Sequence, residues 1–387
     1  MRKMKLAMLI VFCVMLFGGT VVSFVLPDRE FSDVENRELA KKPKITAKRI
    51  LSGEYQKEYD TYLSVQFFFR DKWVDLAVRE QIALGKKDFN GVYLGKNNYL
   101  LEKYEKADFD SGQIKENETY LTTFLNETEK RYGRKHVRAM FVPSKTTALT
   151  NVLPAYADTI DWQSTIRDLQ TKVDEPNLIY DLTKTMQSHN EEYIYYRTDH
   201  HWTTLGAYYA YTEFCKAKGI TPESLDAYSK KQDFDGFLGS FYNDTSDAKL
   251  KANPDTVTAY YPNAESICHV TASDGKKYDW PVIYDVSNYN AGLKYSTFIA
   301  SDNPYTEIEN KDLSDGSSCI VVKESFGNAF IPFLVDHYQT VYVVDYRYWT
   351  GSISKLAQDK KVNDVLFLNN LSMIRNKSLV GKLYRVL

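Results

Sequence analysis

Val321-Val322-Lys323-Glu324-Ser325-Phe326-Gly327-Asn328-Ala329-Phe330 reads as an apolar strand that runs straight into a helix, with a serine at the turn. In a parallel α/β sheet such a turn stands at the carboxyl edge, where sites form. The free N–H groups of a helix start can also stabilise an oxyanion. A serine that merely caps a helix fits the same pattern. Around this stretch the chain keeps an α/β rhythm. Cys319 to Val322, Val341 to Val344 and Val365 to Leu368 are short apolar strands, separated by helical stretches near Asn328 to His337 and from Ile353 to Lys360. Upstream, a helix over Tyr120 to Tyr132 leads to the strand Val137 to Val142, which Pro143 stops. Asn177 to Leu182 gives another strand, before a helix from Thr204 to Ala217 that Gly219 ends. This alternation predicts a doubly wound parallel sheet over residues 118–387.

The rhythm lapses between about 230 and 315, where Asp, Asn, Ser and Tyr predominate and β-like runs are short, as in Trp280-Pro281-Val282-Ile283-Tyr284. The expectation is a β-rich insertion covering the site. Residues 28–117 read as a helical region, patterned at Tyr55 to Leu63 and Phe68 to Leu84, closing in a hairpin at Gly91 to Leu101. Residues 1–27 are a leader and anchor: Arg2, Lys3 and Lys5 precede 21 uncharged residues from Leu6 to Leu26. About 20 such residues span a bilayer. Basic residues before the run orient the bulk of the chain outside the cell membrane, as a single-pass protein. A cleaved signal peptide is the rival, but the run exceeds a usual signal core and lacks a small-residue cleavage site.

Forty-nine basic and 51 acidic residues, with no long Lys/Arg block, exclude a nucleic-acid partner. The 14% aromatic content, with 30 tyrosines, excludes a disordered or fibrous chain and suits sugar-rich surroundings. Cys13 lies inside the apolar run. Cys215, Cys268 and Cys319 allow one disulfide and contain no C-x-x-C, so neither a disulfide framework nor a structural zinc site is expected.

Tyr195-Tyr196-Arg197-Thr198-Asp199-His200-His201-Trp202-Thr203 concentrates an acid, two histidines and a tryptophan before a helix. In an extended segment Asp199 and His201 share a side and His200 points away. A carboxylate beside an imidazole orients it and leaves its other nitrogen free, as a general base requires. Helix capping and packing are the plain alternatives. Adjacent histidines diverge, with no further His or Cys at ligand spacing, so no metal and no cofactor are expected.

Together the two elements supply what each lacks, a base and a nucleophile. Thr198-Asp199-His200-His201-Trp202 resembles the signature of the DHHW protein family and the T-D-x-H-W motif of the SGNH hydrolase-like alginate O-acetyltransferases of the periplasm. Glu35-Asn36-Arg37-Glu38-Leu39-Ala40 with Pro43, Phe69-Arg70-Asp71, Gly95 and Val142-Pro143-Ser144-Lys145 are further landmarks of that group. The resemblance implies an SGNH-like fold in which Ser325 is the nucleophile and His201 the base, oriented by Asp199. It also implies a cell-envelope polysaccharide as acceptor and a membrane-bound O-acyltransferase partner as acyl donor. Lys323-Glu324 stand where the acetyltransferases tend to carry Gly-Asp. Arg347, in Asp345-Tyr346-Arg347, resembles the D-x-R segment near the acetyltransferase site, which implies binding of an anionic sugar, with a surface salt bridge as the alternative; Asn328 is a candidate oxyanion donor or an ordinary first-turn residue; His200 is a candidate substrate contact, as is Trp202, for which packing beneath the motif is the preferred reading. A carbohydrate esterase or a noncatalytic polysaccharide-binding scaffold would carry the same motifs.

Overall fold

The computed structural model describes residues 2–29, 31–32, 37–104, 111–245 and 248–387. Glu35 and Asn36 of the first landmark therefore lie outside the described residues. The chain divides into two compact units, one of residues 1–86 with 243–252, the other of 87–242 with 253–387.

In the first unit the apolar run is helical but divided into Arg2–Cys13, a π-helical turn Val14–Gly18, and Gly19–Val25. The break falls at Gly18-Gly19, where helix propensity is lowest. Among the described residues no helix is long and apolar enough to cross a membrane, so the expected single span of 21 residues is not present as one element. The helices Ala47–Leu51, Glu54–Gln66 and Arg70–Ala83 follow, in the region expected to be helical.

The second unit is mixed α/β around one eight-stranded sheet. Its strands are β1 (Val137–Val142), β2 (Ile179–Asp181), β3 (Ser266–Thr271), β4 (Lys277–Trp280), β5 (Tyr305–Asn310), β6 (Ser318–Lys323), β7 (Thr340–Asp345) and β8 (Asp364–Asn370). Their order is 4-3-5-7-6-8-1-2. Strands β7, β6, β8, β1 and β2 are parallel, and β5, β3 and β4 extend the sheet antiparallel beyond β7. Here the structure departs from the expected arrangement. Most of the strands read as a cover are part of the main sheet, through pairs such as Tyr305 with Val344, and among the described residues of that region only Lys231–Phe237 with Asp255–Tyr260 forms a separate ribbon. The cause is visible in burial. All six residues of β6 are buried, as in a strand covered on both faces, whereas β5 alternates. A half-exposed strand does not read as a continuous apolar run.

Helices α1 (Ser111–Tyr132), α2 (Trp162–Lys172), α4 (Ile353–Lys360) and α5 (Lys377–Arg385) cover one face, packing Phe124, Ile166, Ile353 and Leu383 with Ile320, Val322 and Phe367. On the other, α3 (Thr204–Lys218) and the segment after β6 pack Phe214, Phe330 and Phe333 with Val321, Leu366 and Leu368. Thr203 caps α3 by accepting from the Gly206 amide, and Gly219 ends it at φ 71°. A Cβ on Gly206 would lie 2.4 Å from the Ile194 carbonyl oxygen. Only glycine lets α3 start against the loop that carries the histidines. The three cysteines of this unit are free and buried, so the disulfide the sequence allowed does not form.

Candidate active site

Ser325 stands in the turn directly after β6, at the carboxyl edge and near the middle of the sheet. The histidine segment reaches it from the loop before α3. That segment is not extended throughout: Tyr195 bridges Trp202, the Tyr196 amide bonds the His201 carbonyl at 3.2 Å, and residues 197–201 bend between them. The bend brings Asp199 Oδ1 to 2.9 Å from the His201 amide and 2.5 Å from its Nδ1. His201 Nε2 then lies 2.7 Å from Ser325 Oγ. Carboxylate, imidazole and hydroxyl are thus in line, and all three residues are buried. Because the segment bends, the His200 ring lies beside that of His201, 3.8 Å between centroids, instead of facing away.

Each member is held by groups outside the two motifs. Asp199 Oδ2 accepts from the Ser240 amide at 2.8 Å and its hydroxyl at 3.1 Å. Burial alone would raise the Asp199 pKa, but the neighbouring imidazoles of His200 and His201 and these donors hold it well below the ordinary carboxylate range. Asp255, with no exposure, accepts from the Tyr193 hydroxyl, the Arg197 amide and Nε, and the Thr198 amide and hydroxyl. Lys145, of the Val142-to-Lys145 landmark, is buried and donates to the carbonyls of Leu100 and Asp199, at 2.7 and 2.5 Å. Burial lowers its pKa to about 8. Trp202 is fully buried and donates to the Phe326 carbonyl at 3.0 Å, tying the loop to the serine turn; it is packed in the core rather than open to substrate.

The turn itself rests on a buried ion cluster. Lys323 Nζ bonds Asp302 (3.0 Å), Asp345 (3.1 Å) and Asn328 Oδ1 (2.7 Å), and Asn328 Nδ2 bonds Asp302 at 2.9 Å. Asn328 therefore accepts from Lys323 and donates to Asp302, tying the first turn after the serine to the ion cluster. Arg347 clamps Asp345 with Nε (2.8 Å) and Nη2 (2.6 Å), and Nη2 also reaches Asp302 at 2.8 Å. It nonetheless lines the cleft at Ser325, a cavity of about 360 Å³ shared with His200, Phe241, Glu324 and Asn370. His200, 38% exposed at its side chain, bonds the Ser240 hydroxyl at 2.8 Å. Its packing against neighbouring groups and the adjacent imidazole lower its pKa.

Glu324 takes the amides of Phe326 (3.2 Å) and Asn370 (3.0 Å) and lies 3.3 Å from Ser325 Oγ. Burial pushes its pKa up, towards the neutral acid. Asp199, His200 and His201 are compact enough for a metal ion, their ligand atoms lying within 4.8 Å of one another. Both ring nitrogens of His201 are already engaged, so an ion there would displace Asp199 or Ser325. Asp255 and Ser240 carry no signal in the sequence, and Lys323 and Glu324 are visible there only as a departure from Gly-Asp at the serine turn. Asp255 and Ser240 reach partners 40 or more residues away, Glu324 joins its own turn to Asn370, and Lys323 acts through a buried cluster, none of which local spacing signals.

A sequence model of the family described as DHHW protein matches residues 133–344, more than half of the chain. Among solved structures, a DHHW family protein from Eubacterium siraeum is 26% identical, covers 76% of this chain and 96% of its own, and has a TM-score of 0.64. PatB1 of Bacillus cereus is 23% identical, covers 72% and 95%, and has a TM-score of 0.58; it shares the fold. A second PatB1 structure, bearing a sulfonyl adduct, is 22% identical, covers 73% and 95%, and has a TM-score of 0.57. No curated protein matches the chain.

Proposed function

The chain belongs to the DHHW protein family, and on that premise we propose that it is an extracytoplasmic O-acyltransferase that moves acetyl groups onto a cell-envelope polysaccharide through Ser325, His201 and Asp199. The observation that carries this reading is the unbroken line from Asp199 Oδ1 through His201 to Ser325 Oγ beside an open cleft. As Ser325 Oγ attacks the acyl carbonyl, its proton passes to His201 Nε2, and Asp199 stabilises the imidazolium. His201 returns the proton to the leaving group, and acetyl-Ser325 remains. An acceptor hydroxyl then gives its proton to His201 and takes the acetyl group, restoring Ser325. Glu324 accepts the Phe326 and Asn370 amides, so they reach an oxyanion only when its carboxyl moves away. Acetyl as the group and polysaccharide as the acceptor follow from the motif's resemblance to the alginate enzymes. The basic leader before the Leu6 to Leu26 run supports the extracytoplasmic, membrane-associated placement.

The test is acylation by 4-nitrophenyl acetate, read by intact mass, followed by addition of unacetylated envelope polymer. The parent gains one acetyl group on Ser325 and loses it to polymer, and Ser325→Ala gains none. Release of the acetyl group to water alone would make the protein an esterase. Absence of any adduct would make it a noncatalytic scaffold.

A further inference from the structure

Tyr295 lies in the 3-10 turn Ala291–Thr297, far in sequence from both motifs. Its ring stacks on the His201 imidazole with centroids 4.2 Å apart and planes 14° from parallel. Its hydroxyl donates to the Ser325 carbonyl oxygen at 3.0 Å. Tyr196 (6.1 Å) and Phe298 (5.3 Å) meet the ring edge to face, so it has little freedom to turn. One buried side chain thus grips the proposed base and the backbone of the proposed nucleophile together.

We infer that Tyr295 is a positioning residue for the acyl transfer proposed above: its ring fixes the plane of His201 and its hydroxyl fixes the Ser325 turn. The inference rests on the Ser325–His201–Asp199 reading. Two physical effects follow. Holding both groups keeps the short proton path from Oγ to Nε2 aligned, and misplacement by about 1 Å costs on the order of a hundredfold in such steps. An aromatic face also attracts a cation, so the ring favours the imidazolium that forms during attack. The other titratable groups around His201 are Asp199 and His200 on its own loop, Glu324 on the serine turn and Tyr196; Glu324 and Asp302 also act on Tyr295 through their charge. All remain when Tyr295 is replaced, so a change in the pH profile reports the ring.

The experiment measures the single-turnover rate of Ser325 acylation by 4-nitrophenyl acetate against pH for the full chain and two variants. The base accepts a proton only when neutral, so the rate rises with pH. Without the ring the imidazolium is less favoured, and the midpoint moves down. Tyr295→Leu is expected to lose about tenfold or more in rate and to shift the midpoint down by about half a unit. Tyr295→Phe keeps the face and loses one hydrogen bond, so its midpoint stays with the parent while the rate falls about threefold. A Tyr295→Leu rate within twofold of the parent, at the parental midpoint, would overturn the inference. If circular dichroism shows Tyr295→Leu unfolded, Tyr295→Phe decides: an unchanged rate overturns the inference, and a slower rate at the parental midpoint upholds it. A parent that takes no label sinks the functional reading and this inference together. A labelled parent with an unmoved Leu variant sinks the inference alone.

Discussion

Gly239→Ala tests whether the position of Asp199 governs the chemistry. A Cβ on Gly239 would lie 2.2 Å from Asp199 Cβ, 2.4 Å from Oδ2 and 2.6 Å from Cγ. Ordinary contact between such atoms is about 3.5 Å, so carboxylate and glycine must part by roughly 1.3 Å. Neither has slack. Asp199 Oδ1 is bonded to His201 Nδ1, and Oδ2 to the Ser240 amide next to the substituted residue. Overpacking of this kind costs about 1–3 kcal/mol in stability, and a displacement near 1 Å in a catalytic line costs about a hundredfold in rate, or roughly 2.7 kcal/mol in the barrier. The expected result is a folded protein, melting a few degrees lower, whose acylation by 4-nitrophenyl acetate in stopped flow is about a hundredfold slower. Gly381→Ala is the control. It sits in α5 with nothing within 4 Å of the added carbon, so it should keep the parental rate and gain about 0.5 kcal/mol. If Gly239→Ala melts lower yet acylates within threefold of the parent, Asp199 does not act through its position and the triad argument loses its third member.

The two adjacent histidines separate in the same assay: His201→Ala should lose at least a hundredfold, whereas His200→Ala, which removes a bond to Ser240, a cleft wall and a ring packed beside His201 but no member of the proton path, should lose less than tenfold, and the reverse order would refute the assignment. Asp255→Asn keeps the shape but removes the charge that receives Arg197 and Thr198; it should lower stability by about 2 kcal/mol in urea titration and slow acylation, and an unchanged urea midpoint would show that the site does not depend on it. Lys145 has a folded-state pKa of about 8, below its ordinary 10.5, because of burial. The unfolded chain therefore binds more protons at this residue between those values, and stability contributed here rises as pH rises from 8 to 10.5. Urea midpoints of the parent should gain on those of Lys145→Met between pH 7.5 and 10; parallel curves would mean that Lys145 does not titrate in that window.

The alternation of strands and helices after residue 118 was legible in the sequence, because strands covered on both faces carry unbroken apolar runs, Cys319 to Val322 in β6 and Val365 to Leu368 in β8. So was the serine turn, since a strand running into a helix around Ser325 leaves few other conformations. The pairing of Asp199 with His201 was legible too, because two residues of separation suffice for a side chain to meet a neighbour's ring. Other features depended on tertiary structure. The antiparallel edge strands β5, β3 and β4 are half exposed, so their composition resembles a loop and only ladder partners such as Val344 reveal them. The second imidazole beside the first follows from a bend that the Tyr195–Trp202 bridge imposes from outside the motif. Asp255, Ser240 and Tyr295 reach the site from segments 40 to 95 residues beyond the histidines. Their roles are set by burial and distance, quantities that arise only when the chain has folded, and the same residues in an open loop would be ordinary polar side chains.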